Sequence, residues 1–276
     1  MGSFHAQALG RGNAFSMVGV VDPTDPGWTG VPWHCALESA LESLQPDAAI
    51  LATPPATHAT LARVCLDAGC HVLVEKPICP DPLEARKLAE AFRQGGRVLF
   101  GGHSERFHPV FRALVEELTL APGWNSLRCH RQGPEPKIPP QGGAVLDLAI
   151  HDLDLALRLA GTLALAEVRF PEAGRTESRL LAGDRSVSVT VGYQTTPRRT
   201  WELETDNGIW RVDFLGGTLE HRSRSGAIRT IEIPAHDALE REHEAFRAAC
   251  DGGDWWSDLQ PQIRAVELAR EILEKT

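Results

Sequence analysis

The sequence predicts an α/β protein of two parts: a doubly wound parallel sheet, then a mostly antiparallel open sheet flanked by helices. Three observations carry that expectation. Short continuous apolar runs alternate with helical stretches over the N-terminal third, the pattern of strands buried on both faces of a parallel sheet. From Ser186 onward apolar and polar residues alternate strictly, as in antiparallel strands with one wet face. The 276 residues, 42% of them hydrophobic, suffice for two modest domains with cores of their own.

In chain order, residues 15–21 form the first apolar run, which stops at Asp22 before the turn Pro23-Thr24-Asp25-Pro26-Gly27. Residues 48–52, 71–74 and 97–100 are the next three, closed by Thr53-Pro54-Pro55, Glu75-Lys76-Pro77 and Gly101-Gly102. Helical stretches lie between them at residues 36–43, 57–67 and 83–94. The character then changes. Val187, Val189, Val191 and Tyr193 alternate with Ser188, Thr190 and Gly192, and Trp201 and Leu203 alternate with Glu202 and Glu204. Asp206-Asn207-Gly208 supplies a hairpin turn with an Asn-Gly pair suited to positive φ. Trp210, Val212 and Phe214 continue the alternation, and two helices close the chain at residues 238–249 and 260–274. The seam between the domains is expected at residues 101–104, giving domains of residues 1–102 and 103–276.

Composition excludes several classes. The net charge is −9 with no block of Lys or Arg, which disfavours nucleic acid and anionic membranes as partners. No apolar run approaches the roughly 18 residues of a membrane span, and the start lacks a basic segment leading into an apolar one. Six cysteines without a C-x-x-C pair read as reduced thiols, so a cytoplasmic location is expected.

The opening residues Met1-Gly2-Ser3-Phe4-His5-Ala6 resemble the end of a G-x-G-x-x-G dinucleotide fingerprint running into its helix, with Gly2 as the last glycine. Asp22 ends the next strand 20 residues after Gly2, where an acidic residue accepts hydrogen bonds from the adenosine ribose of NAD and repels the 2′-phosphate of NADP. The cofactor expected is therefore NAD, with NADP disfavoured. The strand that would precede the fingerprint, and its first two glycines, are not in the sequence. The expectation is a Rossmann-like domain truncated at its N-terminus, with its first strand missing. If so, two neighbouring strands close up, splay, or recruit a strand from elsewhere.

Three further constellations bear chemistry. The loop Thr53-Pro54-Pro55-Ala56-Thr57-His58 follows a strand at the sheet edge where open α/β sheets bind ligands; Thr57 is a candidate helix cap, and His58 is a loop ligand or a structural histidine. Val74-Glu75-Lys76-Pro77 puts a lysine at the end of a buried strand, either a solvated loop charge or an ammonium aimed over the cleft. Asp147 and His151 are four residues apart, so on a helix they share a face and the carboxylate can orient a proton-abstracting imidazole. A buried structural hydrogen bond would use the same pair. Asp152 and Asp154 read as capping or solvated charges. A metal set of His151, Asp152 and Asp154 has no other ligand cluster to support it, so no metal is expected. His5, His34, His130, His221, His236 and His243 have no partner legible in the sequence.

The combination of Thr53-Pro54-Pro55 with His58, the run Ala68-Gly69-Cys70-His71-Val72-Leu73-Val74-Glu75-Lys76-Pro77, and Asp147-x-x-x-His151 after Gly142-Gly143 resembles the glucose-fructose oxidoreductase / inositol dehydrogenase / MocA (Gfo/Idh/MocA) family. The likeness covers nearly the whole chain. It implies that Lys76 reaches the substrate hydroxyl and nicotinamide, that His151 is the acid/base, and that Asp147 assists it. Gly2, Asp22, Thr53, Pro54, His58 and Glu75 would line the cofactor site. Within the family, the segment from Gly101 to Pro109 is similar to the UDP-N-acetylglucosamine 3-dehydrogenase branch, which assigns Arg106 and His103 to substrate binding. Arg106 would bind an anionic substrate bidentately or form a structural salt bridge, and His108 stands where that branch carries Asn. The resemblance implies an NAD-dependent dehydrogenase oxidising a ring hydroxyl of a sugar, with a nucleotide-linked N-acetylhexosamine expected. A free sugar or cyclitol is the alternative substrate, and a catalytically inactive truncated homologue the alternative role. A homodimer or homotetramer is implied as well.

Overall fold

A computed structural model of the chain describes residues 1–28, 30–121, 123–137, 142–171 and 174–275. It folds into two compact units, Met1–Ser104 with Leu239–Ile263, and Glu105–Ala238 with Arg264–Thr276.

In the first unit α1 (Gly2–Arg11) leads to the short strands β1 (Val20–Val21) and β2 (Trp33–His34), which pair in parallel. Then come α2 (Leu37–Leu44), β3 (Ala48–Leu51), α3 (His58–Asp67), β4 (His71–Glu75), α4 (Pro82–Gln94) and β5 (Leu99–Gly102). Strands β3, β4 and β5 form one parallel ladder with β4 in the middle. Val72, Leu73 and Val74 of β4 are inaccessible to solvent, which is why that run is apolar without alternation. Helices α3 and α4 cover it with Ala62, Cys65, Leu88 and Phe92. Asp81 caps α4 by accepting from the Leu83 N–H at 2.8 Å, with Pro82 at the first helical position. The expected strand at residues 15–21 pairs only at Val20–Val21. Among the described residues its ladder is separate from the β3–β4–β5 sheet.

The second unit holds α5 (Pro109–Leu120), β6 (Ser126–Gly133), a π-helical segment (Val145–Ala149), α6 (Ile150–Ala160), and the strands β7 (Ala164–Arg169), β8 (Arg175–Ala182), β9 (Arg185–Tyr193), β10 (Arg198–Thr205), β11 (Gly208–Asp213), β12 (Thr218–Ser223) and β13 (Ile228–Ile231). They make one eight-stranded sheet in the order β13-β12-β11-β10-β6-β9-β8-β7, antiparallel except for the β6–β9 pair. The alternation expected from the sequence sorts the two faces. Val187, Val189, Val191, Trp201 and Leu203 are buried against Phe111, Leu114, Ile150 and Leu153. On the other face Glu202 pairs with Arg128 and Arg211 across neighbouring strands. The β10–β11 hairpin turns at Asp206-Asn207, yet the positive φ falls on Gly208, at 143°. Glycine is required there because a Cβ would stand 2.1 Å from the Arg222 carbonyl oxygen of β12.

Two helices end the chain, α7 (Ala238–Cys250) and α8 (Trp256–Leu273). The sequence places both with the second domain, but Leu239–Ile263 belongs to the first unit. There Phe246 packs on Phe15 and Phe100, and Leu259 and Ile263 join the core beneath β4. Gln262 is buried against Gly101, where a Cβ would fall 1.5 Å from its Oε1. Gly101→Ala is therefore expected to destabilise the protein by about 1–3 kcal/mol through overpacking, read as a lowered thermal midpoint. All six cysteines are free thiols. Among the described residues no helix is long and apolar enough to cross a membrane.

Candidate active site

The carboxyl ends of β3 and β4 carry two loops braced against each other. Pro55–Thr57 forms a single turn of 3-10 helix before α3. The Thr57 hydroxyl lies 2.8 Å from both the Thr53 hydroxyl and the Pro54 carbonyl oxygen, so it closes the loop and does not cap α3 as expected. His58 is fully buried beneath this loop. Its Nδ1 lies 2.9 Å from the Pro77 carbonyl oxygen and its Nε2 2.9 Å from that of Thr53. The ring thus ties the Thr53-Pro54 loop to the Glu75-Lys76-Pro77 loop, and it is a brace rather than a surface group. The Lys76–Pro77 peptide is cis.

Glu75 is also turned inward. Its Oε1 is 2.9 Å from His5 Nε2, and its Oε2 accepts the backbone N–H of Lys76 at 3.1 Å. His5 sits in the first turns of α1, and its Nδ1 is 2.9 Å from Nε2 of His243 on α7, with the rings stacked. His5, Glu75, Glu242 and His243 are all buried. His5, Glu75 and Glu242 bring one ligand atom each within 4.8 Å of one another, the cluster among the described residues that could surround a metal ion. None of these contacts was legible in the sequence, because their members lie 70 and 238 residues apart.

The N-terminus of α1 lies near the β3 loop, with the Gly2 Cβ position 4.0 Å from Ala52 Cβ. The first intrahelical bonds are donated by Phe4 and His5 to the Met1 carbonyl, leaving the amides of Gly2 and Ser3 ahead of the ladder. Such amides and the helix dipole suit an anion. Asp22 follows β1, exposed, with one carboxylate oxygen accepting from the Thr24 N–H at 2.9 Å. His103 follows β5 and is buried within the first unit.

In the second unit Asp147 lies inside the π-helical segment and His151 in the first turn of α6, so the pair spans a change of helix type. One-turn π segments of this kind recur at functional sites. Gly142 leads into it at φ 95°, where a Cβ would meet Leu146 at 2.6 Å. The chain's only tyrosine, Tyr193 at the end of β9, donates its hydroxyl to Asp147 Oδ2 at 3.3 Å. Burial first, and then the Asp147 charge, push the phenol above its ordinary value of 10, so it stays a donor across the neutral range. The strand alternation puts Tyr193 on the buried face and gives no sign of this contact.

Asp152 and Asp154, read as capping or solvated charges, are both buried ion-pair partners. Asp152 accepts from Arg131 of β6 at 2.7 Å and from the Trp201 indole N–H at 2.7 Å. Asp154 takes Arg106 in a bidentate pair at 2.6 and 2.5 Å, with both groups shielded from water. The reason is the double burial of α6, whose Asp152–Leu157 stretch is inaccessible along its whole length. Of the two readings of Arg106, the salt bridge is the one observed. Commitment of both aspartates to guanidinium groups also takes them out of the metal set weighed with His151.

Residues 1–103 match the family model described as Gfo/Idh/MocA, "Oxidoreductase family, NAD-binding Rossmann fold". The likeness does not stop at that domain. A UDP-N-acetylglucosamine 3-dehydrogenase of Acidithiobacillus ferrooxidans is 27% identical over 91% of this chain and 88% of its own. Over its first 103 residues, then, the chain matches the Gfo/Idh/MocA oxidoreductase family. An inositol 2-dehydrogenase of Leifsonia xyli subsp. xyli is 27% identical over 74% of this chain and 69% of its own. A solved structure of the Acidithiobacillus enzyme superposes with a TM-score of 0.86 at 25% identity, covering 99% of this chain and 93% of that one. The Gfo/Idh/MocA fold, a Rossmann-like parallel sheet followed by a large, mostly antiparallel sheet with helices, is thus present along the chain.

Proposed function

We propose that this chain is an NAD-dependent dehydrogenase that oxidises a ring hydroxyl of a sugar, with a nucleotide-linked N-acetylhexosamine as substrate. The observation that carries the reading is the similarity to the UDP-N-acetylglucosamine 3-dehydrogenase over both units, with Lys76, Asp147 and His151 present. The residues at hand fit the dinucleotide: the α1 amides of Gly2 and Ser3 would take the pyrophosphate, Asp22 the adenosine ribose, and Thr53 and Pro54 the loop beside them. Bound nicotinamide supplies the acceptor for the hydride that leaves the carbinol carbon. Neutral His151 removes the hydroxyl proton, Asp147 orients the imidazole and stabilises its protonated form, and the Lys76 ammonium stabilises the developing alkoxide. The family's precedent supports a homodimer or homotetramer.

The test is reduction of NAD on adding UDP-N-acetylglucosamine to the purified chain. A second substrate reading, a cyclitol or free sugar, is favoured by the likeness to the inositol 2-dehydrogenase. Competition by free UDP separates the two, since only a nucleotide-sugar site loses turnover to it. Asp22→Ala is expected to weaken NAD(H) binding by about 10- to 100-fold, the worth of a charge-assisted hydrogen bond, and to narrow the preference over NADP(H). Calorimetric titration of both dinucleotides checks it.

A further inference from the structure

We propose that His5, backed by His243, is a positioning residue: it holds the Glu75 carboxylate and thereby fixes where Lys76 presents its ammonium. The inference rests on the reading of Lys76 as catalytic. It is carried by a continuous hydrogen-bonded chain inside the first unit. His243 Nε2 meets His5 Nδ1 at 2.9 Å, His5 Nε2 meets Glu75 Oε1 at 2.9 Å, and Glu75 Oε2 receives the Lys76 N–H at 3.1 Å. Both ring nitrogens of His5 and both carboxylate oxygens of Glu75 are engaged. Three elements, α7, α1 and the end of β4, are thereby locked together at the peptide of Lys76.

Burial makes the chain consequential. His5, Glu75 and His243 are each at most 6% exposed, so a missing link cannot be replaced by bulk water. The His58 brace, which holds Pro77 from the other side, leaves Glu75 as the group that fixes the Lys76 amide. Nothing in the proposed chemistry uses His5 or His243 directly. The same cluster, with Glu242, could be read as a metal centre. The 2.9 Å separation of His5 Nε2 and Glu75 Oε1 is a hydrogen-bond distance, whereas ligands of a tetrahedral ion at about 2.0–2.1 Å stand about 3.3 Å apart. The geometry points to shared protons.

The experiment compares the full chain with His5→Phe, His5→Gln and His243→Leu. The first readout needs neither cofactor nor sugar: the rate at which trinitrobenzenesulfonate labels Lys76, mapped by mass spectrometry with Lys87 and Lys275 as internal references. His5→Phe and His243→Leu should raise labelling of Lys76 severalfold and leave the references unchanged. His5→Gln, whose amide still donates to Glu75, should stay near wild type. The second readout is kcat with the sugar that wild type turns over, of which UDP-N-acetylglucosamine and myo-inositol are the probes. His5→Phe should lose about 10- to 100-fold in kcat with the sugar KM within about twofold, the signature of a misplaced catalytic group.

Unchanged Lys76 labelling in folded His5→Phe and His243→Leu would overturn the proposal, as would a rise in KM alone. Stoichiometric metal retained through dialysis by wild type and lost in Glu242→Gln would overturn it in favour of an ion site. Lys76→Met separates this inference from the reading beneath it. Full activity of Lys76→Met refutes the catalytic lysine, while an inactive Lys76→Met beside a fully active His5→Phe refutes only the positioning role.

Discussion

Lys76→Met is expected to lower kcat by about 100- to 1,000-fold, the usual cost of removing one group aimed at a developing oxyanion. Methionine keeps the length of the lysine stem, so packing around the loop is retained while the ammonium is lost. The loop itself does not depend on that ammonium. His58 ties it to Thr53 through backbone carbonyls, and Glu75 holds it through the Lys76 amide. A thermal midpoint close to wild type should therefore accompany the loss of turnover. His151→Asn should fall in the same range or below, since a general base contributes about 100- to 10,000-fold. The two losses should not add, because a proton transfer and the oxyanion it creates belong to one transition state. Steady-state kinetics of the single and double variants check this, and wild-type kcat in either single variant would remove the mechanism.

The second large effect is on stability. Asp152→Ala is expected to cost about 3–5 kcal/mol, because it strands the Arg131 guanidinium inside the second unit and leaves the Trp201 indole N–H without its acceptor. Against a total stability of about 5–15 kcal/mol, that is a large fraction, read as a lowered urea midpoint. Glu105, 3.4 Å from the other side of Arg131, moderates the loss without replacing the paired geometry. Replacing both partners with apolar residues, as in Arg131→Met with Asp152→Leu, should recover much of it, since desolvation of both charges is then avoided. A single variant as stable as wild type would mean that the buried pair contributes little.

The sequence was legible where local pattern decides structure. Strands β3, β4 and β5 stand out because both faces of that sheet are covered, and β9 to β11 because one face is wet. Strand β6 hid because its inward positions run Leu127, Cys129, Arg131, and the buried arginine breaks the apolar period. That arginine is inside only because Asp152, 21 residues on, meets it there. The same holds for Asp154 with Arg106, separated by 48 residues. A charge that looks solvated in one dimension can be a core residue once its partner arrives. The π-helical segment was likewise invisible, since the spacing of Asp147 and His151 reads as an α-helical face in either geometry.

For the candidate site, Lys76, Asp147 and His151 were legible as candidates because a motif carries each of them. What holds them was not. His5 and His243 had no assignable partner, and Glu75 and His58, expected to line the cofactor loop, instead turn inward and brace it. Bracing contacts join residues far apart in the chain, and no periodicity records them. That helix α7 falls within the first unit is hidden for the same reason: its amphipathic pattern says that one face is buried, not against what.

The proposed activity requires the first unit to hold a nicotinamide dinucleotide, with Asp22 choosing between the two forms. Calorimetric titration of the purified chain with NADH, and with NADPH as the control, tests this most directly. Saturable one-site binding of NADH is expected, with binding of NADPH weaker by about tenfold or more, as one lost charge-assisted hydrogen bond and an added repulsion require. Tighter binding of NADPH would contradict the assignment of Asp22. Binding of neither, by a chain that is folded by circular dichroism, would contradict the dehydrogenase itself.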